Sequence, residues 1–370
     1  MTSAKLGDVL DKIIDCEHKT APETIGEVYA YSVGTPHLKE GRILYSQAKP
    51  ISQETYLQWT KRGEPEAGDL ILAREAPVGQ VGLVGNVRVA LGQRTVLLKV
   101  NKKLCVPRYL HYKLISPRMQ RLMQVWSEGS TVAHLNVKDI PKLDIGNLPP
   151  LSEQRRVAEI LGSLDDKIEA NSCLIETLTE LVDARVAEAH TQGAESVKIS
   201  DLAIQSKNQL LPSKATEGLV LHYSLPAFDA GTVPAVEEAG SIRSSKFVVS
   251  RPVVLFSKLN PGTPRIWMVE PDSEEYNFAS TEFVVLEPRD GVSLGTLWAV
   301  CRDPRVSQKL SEFARGTSSS HQRVSPKDIL ESSVVIPDML EEETTMIRRL
   351  VAENVSLTET RDLLVRNLIG

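Results

Sequence analysis

The sequence predicts an α+β protein that consists of two repeats of one structural unit. Two globules are separated by two long helices, which form an antiparallel coiled coil about a pseudo-twofold axis. Three observations predict this fold class. Short motifs recur in the same order in both halves, each half is rich in short apolar runs broken by Pro and Gly, and each half ends in a helix with heptad spacing.

The internal repeat is clearest near the end of each globule. Gly129 and Gly316 are 187 residues apart, as are His134 and His321, and a Lys-Asp-Ile triplet recurs shortly after each histidine at an offset of 189. Because the motifs keep their order, we predict that the two halves share one topology.

Each globule combines strands with a few helices. Segments such as 77–82, where Val and Gly follow Pro, indicate strands and tight turns, and apolar strands are predicted at 95–100 and 282–286. The stretch 107–126 is helical in character. This mixture is typical of an α+β globule of about 150 residues.

The first long helix is predicted to begin after Pro149 and Pro150, since proline suits a helix start, with Ser152 as a plausible cap. Apolar residues then recur at spacings of 3 and 4, and the second helix repeats the pattern. The predicted seam consists of Val157, Leu161, Leu164, Ile168, Ile175, Leu178 and Val182 in the first helix, and Ile347, Leu350, Leu357, Leu364 and Leu368 in the second.

Polar residues interrupt this seam at Asn171, Asn354 and Arg361. Buried polar residues in a coiled coil specify its register. At the edge of the seam the same residues would simply contact water. The sequence leaves both interpretations open.

The charge distribution differs between the halves. The formal net charge is -5, but residues 1–150 carry 20 basic and 15 acidic residues, a net of +5, whereas residues 195–336 carry 15 and 17, a net of -2. Much of the negative charge therefore lies in the predicted helices. The charge of the whole chain says little about whether a local face is basic.

The composition also bears on location and on cofactors. No apolar run approaches the roughly 20 residues that a bilayer requires, and the first residues lack the layout of a signal peptide, so we expect a cytoplasmic protein without a membrane partner. The four cysteines are scattered, without zinc-ligand spacing, so we expect neither disulfides nor a bound metal.

Motifs for catalysis are incomplete. The stretch 147–150, Asn-Leu-Pro-Pro, only superficially resembles an adenine methyltransferase motif, and Glu17 and Lys19 match half of a nuclease motif that lacks its Pro-Asp partner. No Walker loop is present. We therefore expect a binding protein with no catalytic residues of its own.

Two sets of residues are candidates for contacts with DNA. Small hydroxyl residues, histidine and arginine in the two repeated loops suit phosphate groups, although a plain Gly-Ser turn would look the same. Arg and Gln at predicted strand ends suit base edges, although solvated surface charge is the alternative. The loop candidates are Ser130, Thr131, His134, Ser319, His321 and Arg323, and the strand-end candidates are Arg74, Gln93, Arg94, Lys258 and Arg265.

The helix start carries a resemblance to a known family. The stretch 149–161, Pro-Pro-Leu-Ser-Glu-Gln-Arg-Arg-Val-Ala-Glu-Ile-Leu, followed by Leu-Asp-Asp-Lys-Ile-Glu at 164–169, resembles the central conserved region of type I restriction-modification specificity subunits. The second helix opens differently, with Pro-Asp-Met-Leu-Glu at 337–341. The second helix start therefore lacks the signature of the first.

The resemblance implies a domain plan and a set of partners. Residues 1–148 and 195–336 would be target recognition domains on double-stranded DNA, and residues 149–190 and 337–370 would be spacer helices that dock two modification (methyltransferase) subunits. The residues implied in docking are Glu153, Gln154, Arg155 and Arg156. S-adenosylmethionine would be bound by the modification subunits, and ATP and magnesium by the restriction subunits.

The expected function is therefore that of a sequence-specific DNA-binding subunit in which each globule reads one half of a bipartite site. Two alternatives belong to other classes. A two-domain coiled-coil scaffold would bind proteins and contact DNA incidentally, and a cryptic metal-dependent nuclease would use Glu17 and Lys19.

Overall fold

A computed structural model describes most of the chain, which divides into two compact units. Unit 1 consists of Met1–Ile168 and Ser356–Gly370, and unit 2 of Glu169–Val355. The residues described are 3–127, 133–271, 276–314, 322–338 and 340–369.

Unit 1 contains two sheets, two short strand pairs and helices on one side of the main sheet. Its elements are β1 (Ala4–Lys5), β2 (Leu10–Asp15), β3 (Ala30–Val33), β4 (Leu38–Lys39), β5 (Arg42–Ile43), β6 (Lys49–Ile51), α1 (Gln53–Trp59), β7 (Leu70–Ala73), β8 (Val81–Leu83), β9 (Val89–Leu91), β10 (Thr95–Val100), α2 (Pro107–Ile115), α3 (Pro117–Ser127), β11 (Asp144–Gly146) and the start of α4 (Leu151–Thr191).

The main sheet of unit 1 is antiparallel, in the order β2-β10-β7-β8, and a second sheet has the order β6-β3-β9. Alternate residues of β7 enter two different cores. Leu70 and Leu72 pack with the helices, whereas Ile71 and Ala73 pack with the residues of the second sheet. This alternation follows from the two-residue repeat of a strand, and it explains why the β7 segment reads as continuously apolar.

Unit 2 has most of the corresponding elements in the same order. They are β12 (Ser196–Lys198), α5 (Ile199–Leu202), β13 (Ala203–Ser206), β14 (Gln209–Leu210), β15 (Leu219–Tyr223), α6 (Leu225–Asp229), β16 (Ala235–Glu238), β17 (Lys246–Val248), β18 (Val253–Ser257), β19 (Ile266–Val269), β20 (Asn277–Ala279), β21 (Phe283–Pro288), α7 (Leu294–Cys301), α8 (Pro304–Phe313), α9 (Pro326–Leu330), β22 (Ser333–Val335) and part of α10 (Glu341–Leu368).

The sheets of unit 2 repeat those of unit 1. The order β13-β21-β18-β19 corresponds to β2-β10-β7-β8 in unit 1. The parallel pair of β15 with β20 corresponds to the parallel pair of β3 with β9. The short pair β12-β22 likewise corresponds to β1-β11. The predicted α+β repeat is therefore confirmed for the main sheet, the parallel pair and the short pair, whereas β4 and β5 in unit 1 and β14 and β17 in unit 2 have no counterparts.

The long helices α4 and α10 contribute to both units. In unit 1, Val157 and Leu161 of α4 share a core with Val365 of α10, and Arg361 Nη1 donates to Asp165 Oδ1 at 3.0 Å. In unit 2 the paired segments run antiparallel, since residue 171 meets 354 and Arg185 meets Glu343. None of the helices in the described part of the chain has an apolar stretch long enough to cross a membrane.

Most seam positions are buried or half-buried, but the prediction is wrong at Leu368. This side chain is 36% exposed, while Val365 and Ile369 are 5% exposed. A helix with 3.6 residues per turn drifts away from a strict seven-residue repeat, so the buried stripe has moved by one position at the end of α10. Ser152 lies inside the first turn of α4, which begins at Leu151, rather than at its cap.

The polar interruption at Asn171 lies in the buried part of the helix pair. Asn171 is 3% exposed, and its Nδ2 donates to Asn354 Oδ1 at 2.9 Å and to Glu353 Oε2 at 3.0 Å. Asn354 Nδ2 in turn donates to Ser172 Oγ at 3.3 Å. Because a shift of one residue would break these bonds, the burial favours register specification over a solvated edge.

The contact of α7 with α10 in unit 2 generates a prediction. A Cβ atom at Gly295 would lie 2.0 Å from Thr344 Oγ1, so Gly295→Ala overpacks the crossing. We expect it to lower the free energy of unfolding by about 1–3 kcal/mol, measured by urea denaturation. Gly240→Ala is the control, since no atom lies within 4 Å of that position. Equal stability of the two variants would contradict the close packing.

Candidate nucleic-acid interface

Arg74 follows the end of β7 and is fixed in place from two sides. Its side chain is 6% exposed, Nη2 lies 3.3 Å from Asp15 Oδ1, and Nη1 lies 3.4 Å from His134 Nε2. A buried guanidinium requires such partners, because an uncompensated charge away from water is costly. Arg74 is therefore a rigid support rather than a freely moving surface arginine.

Glu75 joins His134 to Arg94. His134 Nδ1 lies 2.6 Å from Glu75 Oε1, and Arg94 Nε lies 3.2 Å from Glu75 Oε2. If Nδ1 carries the proton, the Nε2 atom of His134 is free to accept from Arg74, so one tautomer satisfies both contacts. The backbone of Arg94 has a φ of 65°, in the left-handed region that residues other than glycine seldom adopt.

Gln93 completes the edge of this group. Its Nε2 donates to the carbonyl oxygen of His18 at 3.4 Å, and His18 Nε2 lies 3.0 Å from Asp15 Oδ2. Four of the residues proposed from the sequence are thus brought together with three that were missed. We call this group the unit 1 cluster: Asp15, His18, Arg74, Glu75, Gln93, Arg94 and His134.

The outer side of the unit 1 cluster is polar and accessible. The Arg94 side chain is 56% exposed, and Gln93 is exposed, whereas Arg74 behind them is buried. A guanidinium and a carboxamide held side by side can donate and accept hydrogen bonds in fixed directions. This is the arrangement that recognition of base edges requires.

Unit 2 places different residues on the same framework. In unit 1, the backbone N–H of Arg74 donates to the carbonyl oxygen of Arg94, and Glu75 forms an isolated antiparallel β-bridge with His134. In unit 2, the backbone N–H of Lys258 donates to the carbonyl oxygen of Glu282, and Leu259 forms an isolated antiparallel β-bridge with Arg323. The equivalent positions are therefore Arg74 with Lys258, Arg94 with Glu282, and His134 with Arg323. We call Lys258, Glu282 and Arg323 the unit 2 cluster.

This correspondence corrects the repeat as read from the sequence, which paired His134 with His321. The isolated β-bridges make Arg323 the counterpart of His134, an offset of 189 residues. The Lys-Asp-Ile triplet that follows has the same offset. Two additional residues in the second loop account for the difference. The chance recurrence of histidine two residues earlier caused the wrong alignment.

The charge reverses at one of the equivalent positions, where Arg94 in unit 1 is replaced by Glu282 in unit 2. Where unit 1 has Arg94 paired through Glu75 to His134, unit 2 has Glu282 paired directly to Arg323, with Arg323 Nη2 donating to Glu282 Oε1 at 3.0 Å. The Arg323 side chain is 59% exposed. The same strand ends thus present an accessible arginine from two different positions.

Arg265 does not join the unit 2 cluster through its side chain. Its guanidinium forms a bidentate pair with Asp229, at 2.6 and 2.9 Å. This hydrogen-bonded pair lowers the pKa of Asp229 and raises that of Arg265. Arg265 therefore has a structural partner on α6. Ser130, Thr131, Ser319 and His321 lie outside the described residues.

The residues expected to dock partners have different surroundings. The expectation fails for Gln154, which is 1% exposed and bonded on both sides of its amide: Oε1 accepts from Val106 N at 2.9 Å and Nε2 donates to Pro149 O at 2.9 Å. Glu153 and Arg156 form an exposed pair with N–O distances of 2.6 and 2.9 Å, which lowers the pKa of Glu153. Arg155 is exposed.

The acidic residues that follow in the same motif anchor α4 to the globule of unit 1. Asp166 accepts from Arg108 at 2.6 and 3.2 Å, and Asp165 accepts from Tyr112 and from Arg361. Burial and the neighbouring Asp165 carboxylate raise the pKa of Tyr112. The Leu-Asp-Asp signature at 164–166 therefore has a structural explanation within unit 1.

Asp15, Cys16 and His18 place a carboxylate, a thiol and an imidazole within 4.8 Å of one another. These atom types can bind a divalent cation. The Arg74 guanidinium already lies 3.3 Å from the Asp15 carboxylate, however, and its charge opposes a cation there. Glu17, a candidate nuclease residue, pairs with Arg62 at 3.2 Å.

Comparison with known proteins gives a family. Residues 1–180 match the family model of the type I restriction modification DNA specificity domain. The specificity subunit of the type I restriction enzyme EcoBI from Escherichia coli is 26% identical over 156 residues, covering 40% of this chain and 32% of that protein. The alignment thus spans about a third of that relative's length.

One solved structure extends the likeness in fold to 99% of this chain. The S subunit of a type I restriction-modification system from M. genitalium has a TM-score of 0.58 at 16% identity, over 99% of this chain and 95% of that one. The HsdS subunit from Thermoanaerobacter tengcongensis has a TM-score of 0.38 at 17% identity, over 100% and 96%. At these identities, the M. genitalium match bears on the fold alone.

The burial of Arg74 generates a prediction for unit 1. Asp15→Ala removes the carboxylate next to a guanidinium that is nearly inaccessible. Breaking a buried ion pair costs roughly 3–5 kcal/mol. Because Asp15 itself is partly exposed, we expect about 2–4 kcal/mol in urea denaturation. The control is Asp11→Ala, on the exposed side of β2, with a change below about 0.5 kcal/mol. A similarly small change for Asp15→Ala would show that Arg74 has no need of that partner.

Proposed function

Because its first 180 residues belong to the type I restriction-modification DNA specificity family, we propose that this chain is a DNA-reading specificity subunit in which each unit reads one half of a bipartite site. The chain itself carries out no chemistry in this proposal. It supplies the sequence information for a complex whose other subunits act on the DNA.

The observation that carries the proposal is that equivalent strand-end positions carry different polar and charged side chains in the two clusters. Arg94 and Glu282 stand at equivalent positions, as do His134 and Arg323, on frameworks with the same strand order. Different side chains at equivalent positions of one framework suit two readers of different half-sites, since different bases present different donors and acceptors.

The accessible groups suit the major-groove edges of bases. Arg94 and Arg323 each keep more than half of the side chain exposed while a carboxylate orients the guanidinium, and Gln93 adds a carboxamide beside Arg94. Arg is a frequent partner of guanine and Gln of adenine. Lysine and loop hydroxyl groups, such as Lys258, Ser130 and Thr131, would contact phosphates.

The remaining parts take the roles that the family implies. Residues 1–148 and 195–336 are the two target recognition domains, and the helices at 149–190 and 337–370 dock two modification subunits. Methyl transfer from S-adenosylmethionine then belongs to those subunits, and ATP- and magnesium-dependent cleavage to the restriction subunits. The exposed residues Glu153, Arg155 and Arg156 remain candidates for the docking surface on α4.

The proposal is tested by the sites that the assembled complex methylates. The full chain is expressed with its modification subunits, and methylated adenines are located in genomic DNA by single-molecule sequencing. We expect one motif with two short specified blocks separated by unspecified base pairs. A single contiguous motif would contradict reading by two units, and methylation without sequence preference would favour the scaffold.

A further inference from the structure

Unit 2 contains an open apolar groove of about 390 Å³. Its walls come from β19, α6 and α7, and its floor from α4 and α10. The lining includes Phe228, Trp267, Trp298, Ile175, Ile347 and Val351. Val351 is 37% exposed, so apolar surface faces solvent here.

The equivalent place in unit 1 is covered by the chain's own hairpin of β4 and β5. Leu38 and Ile43 of this hairpin are 3% and 8% exposed, and a Cβ atom built on Gly82 of β8 would lie 2.4 Å from Ile43 Cγ1. At the tip, the carbonyl oxygen of Gly41 lies 2.7 Å from His111 Nε2 on α2. The hairpin therefore seals β8 and α2 from solvent.

The two places correspond residue by residue. His111 and Trp298 each lie six residues before the proline that begins the next helix, and β8 and β19 are matching edge strands. In unit 1, residues 38–48 connect the short helical turn after β3 to β6. In unit 2, residues 230–234 make the corresponding connection, so this segment has 5 residues where unit 1 has 11.

The rim of the groove is already neutralised. Arg348 Nη1 donates to Glu270 Oε2 at 2.6 Å, and Arg302 Nη2 donates to Asp183 Oδ2 at 2.7 Å. Each rim arginine thus has a carboxylate partner. The groove offers aromatic and aliphatic surface rather than free charge, so it suits apolar side chains better than a phosphate or another anion.

We propose that this groove receives an apolar turn of a modification subunit, which fills in unit 2 the space that the β4–β5 hairpin fills in unit 1. The inference rests on the proposed function, since it assumes a partner that docks on α4 and α10. The groove floor belongs to these two helices, so a subunit bound along them lies against its opening. A turn with two apolar side chains around a small residue, like Leu38, Gly41 and Ile43, is the occupant that the precedent within the chain indicates.

Ala352 allows a direct test, because it lines the groove on α10 and is exposed. Binding of the purified modification subunit to the full chain is measured by titration calorimetry. We expect Ala352→Arg to weaken binding at least tenfold, since it places a charge where an apolar turn would lie. Ala352→Val should stay within about threefold of the parent chain. Ala194→Arg, an exposed substitution between α4 and β12 that lies outside both docking helices and outside the groove lining, is the control and should also bind normally.

Loss of binding in Ala352→Arg alone supports the proposal. Equal binding by all variants, as expected if the groove holds a small molecule or nothing, overturns it, and so does equal weakening by Ala352→Arg and Ala194→Arg. Sequencing of methylated DNA from the parent complex is read separately. A bipartite motif together with normal binding of Ala352→Arg refutes the groove assignment and leaves the proposed function standing.

Discussion

The structure depends on the completion of each globule's apolar core by segments of both long helices. The core of unit 1 includes Leu161 of α4 and Val365 of α10, and the core of unit 2 includes Val182 of α4 and Ile347 of α10. Each such side chain contributes about 1.5–3 kcal/mol when it is buried. Each unit therefore contains segments far apart in the sequence, and neither helix is a passive linker.

This constraint separates the parts that must be kept from the parts that are free to differ. The strands and the helix contacts have the same order in both units, because they form the cores. The clusters at the strand ends lie outside those cores, and there the residues change in charge and size. A rigid framework with variable strand ends is suited to reading different DNA sequences with one fold. The buried Arg74 pairs with Asp15 and donates its backbone N–H to the carbonyl oxygen of Arg94, so it belongs to the framework behind this accessible arginine.

The sequence was sufficient for the repeat, for the fold class and for the start of α4 to within a residue, because these features depend on periodicity and on proline. It was insufficient where a residue's role depends on a distant partner. Asp15 and Glu75 orient the arginines from other strands, and nothing in their local sequence marks them. Gln154 looked like a surface residue because glutamine usually is one. Its burial depends on the backbone of Val106, 48 residues away.

Alignment of the two halves failed for a similar reason. Two histidines at a constant offset outweighed the two-residue shift that follows them, and only the strand bridges identify Arg323 as the counterpart of His134. The hairpin at 38–43 likewise has no recognisable partner in the second half. In an alignment of the two halves the missing hairpin is only a gap, whereas in the structure its place in unit 2 is an open groove.

The proposed reading of one half-site by each unit is tested most directly by sequencing of methylated DNA from two single variants. Each arginine–base contact is worth about 1–3 kcal/mol of discrimination. We expect Arg94→Ala to relax the preference at one or two positions of one block and Arg323→Ala to relax positions of the other block only. If both variants altered the same block, or if neither changed the motif, the assignment of one half-site to each unit would be contradicted.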